Sequence, residues 1–307
     1  MTDTAPRPRP DAGDPPVAHR SRLRTTVETV MRNRLAVTGL MILLVLVAVA
    51  ILATLIAPYG INEIDVTNRL SPPSGDHWFG TDELGRDVFS RVIIAARVSL
   101  QVGFIAVGIA LALGVPIGLL SGYYGGWVDS ILMRIMDILF SIPAIVLAIA
   151  ILAALGPDLV NAMIAIGIVY TPIFARITRG SVLSLRDAVF VRAARSVGAT
   201  DLRILGTHIL PNVIAPIIVQ TSLSLAFAIL AEAALSFLGL GVQPPNPAWG
   251  RMLSEGRGFF QQAPWMAIFP GLAIFVTVFA FNAFGDGLRD ALDPQQRSII
   301  ESRGAAG

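Results

Sequence analysis

The sequence predicts an all-α integral membrane protein with six transmembrane helices, and three observations carry that prediction. Of its 307 residues 54% are hydrophobic, only 14% are charged, and six long apolar runs alternate with polar segments. A soluble domain uses charged residues at roughly 25%, so water is not the solvent for most of this surface.

The first run, LAVTGLMILLVLVAVAILATLIA at 35–57, is 23 uncharged residues long. At about 1.5 Å of rise per residue it covers about 34 Å, enough to cross a bilayer core. A secretory leader is the competing reading, but the apolar part of a leader is about 7 to 15 residues. The other runs occupy 98–121, 138–155, 159–175, 213–240 and 264–284. Pro116, Pro143, Pro172, Pro216 and Pro270 lie inside them; membrane helices tolerate proline where neighbours satisfy the freed carbonyl.

Orientation follows from arginine. With the N-terminus inside, the inner segments hold 17 of the 23 arginines and the outer segments six, and cytoplasmic flanks carry the positive excess. Both termini are therefore expected in the cytoplasm of a multi-pass cell-membrane protein. This divides the chain into a largely disordered cytoplasmic tail (1–34), a first span (35–57), an outer loop (58–97), a five-helix core (98–285) and a second cytoplasmic tail (286–307). The opening MTDTAPRPRPDAGDPP, with five prolines, cannot bury enough apolar surface to fold. Its arginines read as topology-setting charge; nucleic acid or anionic lipid is the other reading.

Composition also excludes chemistry. The chain has no cysteine, so disulfides, thiolate metal sites and thiol nucleophiles are absent. It has no lysine, and a phosphate-cradling Walker A loop and a Schiff-base enzyme both need one. His19, His77 and His208 are scattered, which disfavours a histidine metal site. No clustered acid, base and nucleophile suggests a membrane-bound enzyme. A stand-alone secondary transporter or channel is the alternative class; it calls for paired intramembrane ionisables or duplicated, interrupted halves, and neither is visible.

One polar stretch interrupts the apolar pattern: VRAARSVGATDLRILGTHILPN, at 191–212. Asp187 is placed to cap a short helix over 188–196. Gly198 falls where that helix must turn, because glycine enters the left-handed conformation cheaply. Thr200 is placed to cap a second helix, with Asp201 in its first turn, running to Leu210, and Pro211 marks the start of the fifth span. Ala193, Ala194 and Val197 share one face, ringed by Arg192, Arg195 and Arg203. Two readings fit: a knob entering a groove on a partner, or an amphipathic loop lying on anionic headgroups.

Arg192-Ala193-Ala194, Gly198 and Ile209-Leu210-Pro211 resemble the EAA loop of ATP-binding-cassette (ABC) importer permeases. HWFGTDELGRDVFSRVIIAARVSL (77–100), AEAALSFLGLGVQPPNPAWGRMLSEGR (231–257) and GDGLRDALDP (285–294) resemble the C-type permease of dipeptide, oligopeptide and nickel importers, with similarity from about 34 to 294. The resemblance implies a type I ABC importer permease fold in a bacterial-type cell membrane. It further implies a coupling loop at 186–211 that docks into an ATPase subunit through Arg192, Ala193, Ala194, Gly198, Asp201, Leu210 and Pro211. The implied partners are a second permease, one or two ABC ATPase subunits and an extracytoplasmic solute-binding protein. The solute would be a peptide or a related small molecule; ATP and Mg would be handled by the ATPase, with no cofactor on this chain and no nucleic acid. Arg192 departs from the pattern, which has Glu there, and reverses the charge a partner would meet.

The outer loop carries Asp76, His77, Trp78, Asp82, Glu83, Arg86 and Asp87, with turns at Gly75, Gly80 and Gly85. The spacing of Val88, Phe89, Val92 and Ile93 predicts an amphipathic surface helix. Asp82, Glu83, Arg86 and Asp87 would either dock the binding protein or pack on the companion permease. Two carboxylates lie next to or within apolar runs. Glu232, 20 residues beyond Asn212, reaches about 30 Å along a helix and is expected near the outer interface, solvated or paired, in a structural role. Asp137 is expected to pair with Arg134 at i, i+3.

Overall fold

The computed structural model describes residues 22–292, which are helical, mostly α with short 3-10 and π turns, apart from connecting loops and one isolated antiparallel bridge, Thr81 to Asp87. Helices α1 (Arg22–Arg32) and α2 (Arg34–Ile56) flank Asn33, whose side chain accepts from the Leu35 and Ala36 amides at 3.0 and 3.2 Å and caps α2. The last third of the expected disordered tail is thus helical. Residues 1–21, including the proline-rich opening, and the tail beyond Leu292 lie outside the described residues.

Helix α3 (Val88–Tyr124) is 37 residues long, and Asp87 caps it by accepting from the Ser90 amide at 2.7 Å. It corrects the expected surface helix: Val88, Phe89, Val92 and Ile93 are the outer turns of the second span, and Val88 and Val92 face the core. No glycine or proline separates 88 from 98, and Arg97 does not end the helix because its guanidinium donates to the Ala50 and Ile51 carbonyls of α2 at 3.0 Å.

The third span is broken. Helices α4 (Gly126–Ser141) and α5 (Ala144–Leu155) meet at 94°. Pro143 forces the break, since the residue before proline is pushed out of the helical region, and Ile142 is extended (φ −91°, ψ 132°). The 12 residues of α5 cover about 18 Å, too little for a bilayer core of about 30 Å. Five helices are long and apolar enough to cross on their own, and six crossings result if the bent pair counts as one. The other four prolines lie inside helices.

Helix α6 (Leu159–Leu185) packs along α3 over a seam of small residues. A Cβ on Gly114 would stand 2.6 Å from the Thr171 carbonyl, and one on Gly122 would stand 2.8 Å from Val182 Cβ; Gly118 between them is equally crowded. Small residues at i, i+4 and i+8 let membrane helices approach closely where lipid offers no hydrophobic drive. Arg179 Nε and its second nitrogen hold both oxygens of Asp129 at 2.6 Å, and Arg176 holds Asp137 at 2.7 Å, so α4 is fastened to α6. Asp137 therefore pairs across helices and not with Arg134.

Beyond α6 come α7 (Val189–Ser196), α8 (Asp201–Arg203), a π-helical turn (Ile204–Ile209) and α9 (Leu210–Phe237). Helices α10 (Trp249–Gly256) and α11 (Trp265–Leu292) complete the described residues. Pro211 does not open a separate span: the chain is helical without a break from Asp201 to Phe237, because proline is accommodated in a first turn. Helices α3, α6 and α9 form the centre, while α2 lies outside against α11 and α3. Asn33 donates to Asp290 at 3.4 Å, joining the described N-terminal part to α11.

Candidate functional site

The segment between α6 and α9 is a knob with a buried side and an exposed side. Val191, Ala194, Ile204, Leu205 and Ile209 are buried and anchor it. Asp187 does not cap α7; the cap position is Ala188, which offers no side-chain bond, and Asp187 meets Arg186 at 3.3 Å. Thr200 stands at the cap of α8 without a side-chain bond, and Asp201 follows in the first turn.

Gly198 ends α7 with φ +79°. Its amide donates to the Arg195 carbonyl at 3.0 Å and the Ala199 amide donates to the Ala194 carbonyl at 3.1 Å. That pair of bonds is the Schellman arrangement, which satisfies the last carbonyls of a helix and reverses the chain. Tyr123, at the inner end of α3, fixes the knob's angle. Its hydroxyl donates to Asp201 at 2.7 Å and accepts from Arg195 at 3.2 Å, with the Arg195 guanidinium over the Tyr123 ring. Hydrogen bonding to Tyr123 holds the Arg195 guanidinium above its ordinary pKa.

Of the predicted residues, Arg192, Ala193, Gly198, Asp201 and Pro211 are exposed, Leu210 is half-buried and Ala194 is buried. The expected contact face of Ala193, Ala194 and Val197 is thus split: Ala194 packs inward, and the outward apolar surface consists of Val189, Phe190, Val197 and Leu202. Tyr123 and Leu202 were not marked by the sequence. Tyr123 is 78 residues from Asp201 in the chain, a separation no local pattern crosses.

The outer loop is built in the opposite way. Arg86 donates to Asp82 at 2.6 Å and to Glu83 at 3.2 Å. Arg91 donates to the Ile61 carbonyl at 3.0 Å and faces Asp82 at 3.6 Å and Glu255 at 3.5 Å. Asp87 binds His77 at 3.0 Å besides capping α3. Asp82, Arg86, Asp87 and Arg91 are buried and Glu83 half-buried, so these groups face one another inside the loop. Burial pushes the Glu83 carboxyl above the ordinary carboxylate range. Trp78 and Leu84 are the loop's exposed neighbours of this network.

Glu232 is neither solvated nor ion-paired. It is fully buried on α9 and accepts from Ser236 at 2.7 Å and from Ser99 of α3 at 3.3 Å. Ser236 also accepts the Val242 amide at 3.2 Å, so this carboxyl ties two central helices to the loop after α9. Between α5, α6 and α9 lies an apolar cleft of about 210 Å³ with Tyr170 in its wall.

The sequence matches the family described as binding-protein-dependent transport system inner membrane component over residues 114–298. It also matches the family described as the N-terminal TM domain of oligopeptide transport permease C over residues 21–73. The dipeptide transport system permease protein DppC of Alkalihalophilus pseudofirmus is 52% identical over 275 residues, with 90% of each chain covered. The glutathione transport system permease protein GsiD of Escherichia coli is 50% identical over 265 residues, covering 86% of this chain and 88% of that one. Among solved structures, an inward-facing conformation of the MetNI methionine ABC transporter superposes with a TM-score of 0.54 at 18% identity, over 66% of this chain and 96% of that one. At that identity the likeness concerns the fold alone.

Proposed function

This chain belongs to the family of binding-protein-dependent transport system inner membrane components, and from that premise we propose that it forms one half of the pathway of an ABC importer for dipeptides. It is a non-catalytic permease subunit. The second half of the pathway is a companion permease, and ATP with Mg is bound and hydrolysed by separate ATPase subunits on the cytoplasmic side. Solute arrives on an extracytoplasmic binding protein. The dipeptide assignment rests on the 52% identity to a dipeptide permease; glutathione, carried by name in the 50% identical relative, is the second peptide to assay.

The observation that supports the coupling role is the knob itself. Its inner side is anchored by five buried apolar residues and by Tyr123, while Val197 and Leu202 stand out at its tip. A rigid, exposed apolar tip transmits displacement in a way a loose loop cannot. Arg192, Ala193, Gly198 and Asp201 lie at or beside that tip, Ala194 and Leu210 seat it on the bundle, and Pro211 lies in the first turn of α9. On the outer side, Asp82, Glu83, Arg86 and Asp87 act as a scaffold that presents Trp78 and Leu84 to the binding protein. Alternating access then requires that ATP and the docked binding protein stabilise different pathway states, since a ligand with equal affinity for both shifts nothing.

The test is reconstitution of this chain with its companion permease, ATPase subunits and binding protein in proteoliposomes. The expected result is uptake of labelled dipeptide that needs ATP and all components. Flux through this chain alone, driven by an ion gradient without ATP, overturns the assignment.

A further inference from the structure

Resting on the coupling role above, we propose that the ATPase subunit receives this knob in a cleft with an apolar floor and an acidic rim, whose carboxylates pair with Arg192 and Arg203. Two separate features of the knob point to that chemistry.

The first is the tip. Val197 is 85% exposed, Leu202 82% and Val189 73%. Val197 and Leu202 flank the Gly198 turn, while Val189 stands at the other end of α7, so the exposed apolar groups at the turn are presented by two segments on either side of a chain reversal. An exposed apolar tip fits an apolar floor.

The second is unpaired charge. The two carboxylates of the segment are already engaged within it: Asp187 with Arg186 at 3.3 Å, and Asp201 with the Tyr123 hydroxyl at 2.7 Å. Arg195 is engaged by Tyr123 as well. Arg192 and Arg203 are exposed, and among the described residues neither guanidinium has a carboxylate within ion-pair distance. Of the other arginines from α4 to α7, Arg176, Arg179, Arg186 and Arg195 have an acidic or aromatic partner in this chain, and Arg134, on α4 and outside the knob, has none among the described residues. Two arginines left free beside an exposed apolar tip supply what a partner must complement, and complementary charge fixes register and excludes wrong partners. An ATPase whose cleft carries a basic rim is rejected by the same surface, because like charges brought together cost affinity.

The experiment uses the co-expressed transporter of full-length subunits. The chain has no cysteine, so Ala193→Cys provides a unique crosslinking position from which the facing ATPase residues are identified. Arg192→Glu with Arg203→Glu is then expected to weaken co-purification of the ATPase by roughly tenfold or more, with membrane insertion unchanged. Converting the facing carboxylates to lysine is expected to restore it. Leu202→Asp serves as the control for docking. If Leu202→Asp releases the ATPase and the double arginine reversal does not, docking stands and the acidic rim falls. If neither variant releases it, the coupling role itself falls. If the arginine reversal acts only in vesicles containing anionic phosphatidylglycerol and not in phosphatidylcholine vesicles, the arginines serve lipid and the proposal is overturned.

Discussion

The outer loop and the inner knob are both polar, irregular interruptions of an apolar chain, yet they dispose of charge oppositely. In the outer loop Arg86 and Arg91 are buried against Asp82, Glu83 and Glu255, and the charges hold the molecule's own parts together. In the knob Arg192 and Arg203 are exposed and unmatched by any described carboxylate. Buried pairs make a scaffold, since removing one partner strands the other away from water. Free charges beside exposed apolar groups are what the proposed ATPase contact would use. The pattern of pairing, and not the number of charges, separates the two.

The largest effect that sharpens this contrast is expected at Arg91. Arg91→Ala empties the space of a fully buried side chain, leaves the Ile61 carbonyl without its donor, and leaves Asp82 to Arg86 alone and Glu255 to Arg86 and Arg251, a change worth about 3 to 5 kcal/mol. Thermal unfolding in detergent should fall accordingly, and an unchanged midpoint would break the scaffold reading of the outer loop.

Next come two glycines with nearly the same backbone angle. Gly85 has φ +81° and Gly198 φ +79°, but a Cβ on Gly85 would overlap the Asp65 carbonyl, while nothing lies within 4 Å of one on Gly198. Gly85→Ala is expected to cost about 2 to 4 kcal/mol, left-handed strain added to overpacking. Gly198→Val is expected to cost only about 1 to 2 kcal/mol of strain, with the protein still inserted, but to weaken ATPase docking and uptake sharply. Equal losses of stability at both positions would erase the distinction between a packed turn and a free one.

The smallest effect is expected at Tyr123. Tyr123→Phe keeps the ring under Arg195 and removes the hydroxyl that joins Asp201 and Arg195, a loss of about 1 kcal/mol. Its signature is a lower ratio of solute imported to ATP hydrolysed, measured in proteoliposomes, because the knob's angle is loosened while its tip is intact.

Much of this was legible in the sequence. Gly198 and its turn were readable from a single glycine between two polar helical stretches, because left-handed backbone is a local property. The close seam of α3 and α6 was also written in the sequence, as GVPIGLLSG at 114–122, although hydropathy reading alone passes over it. The break at Pro143 was harder. Five prolines occupy similar apolar runs, and only the one preceded by an extended Ile142 separates two helices. The true start of α3 at Val88 was obscured by Arg97, a charge that reads as the edge of a span until its acceptors on α2 are known.

The sequence by itself determined the solvent, the number of apolar runs and the glycine turn. Each depends on composition or on backbone angles within a few residues. Only the tertiary structure decided which charges are matched: Arg91 with Glu255 across 164 residues, Glu232 with Ser99 across 133, Asp137 with Arg176 across 39. An ionisable group in an apolar chain takes the partner that folding brings within about 4 Å, and that neighbour is set by how helices pack and not by their order.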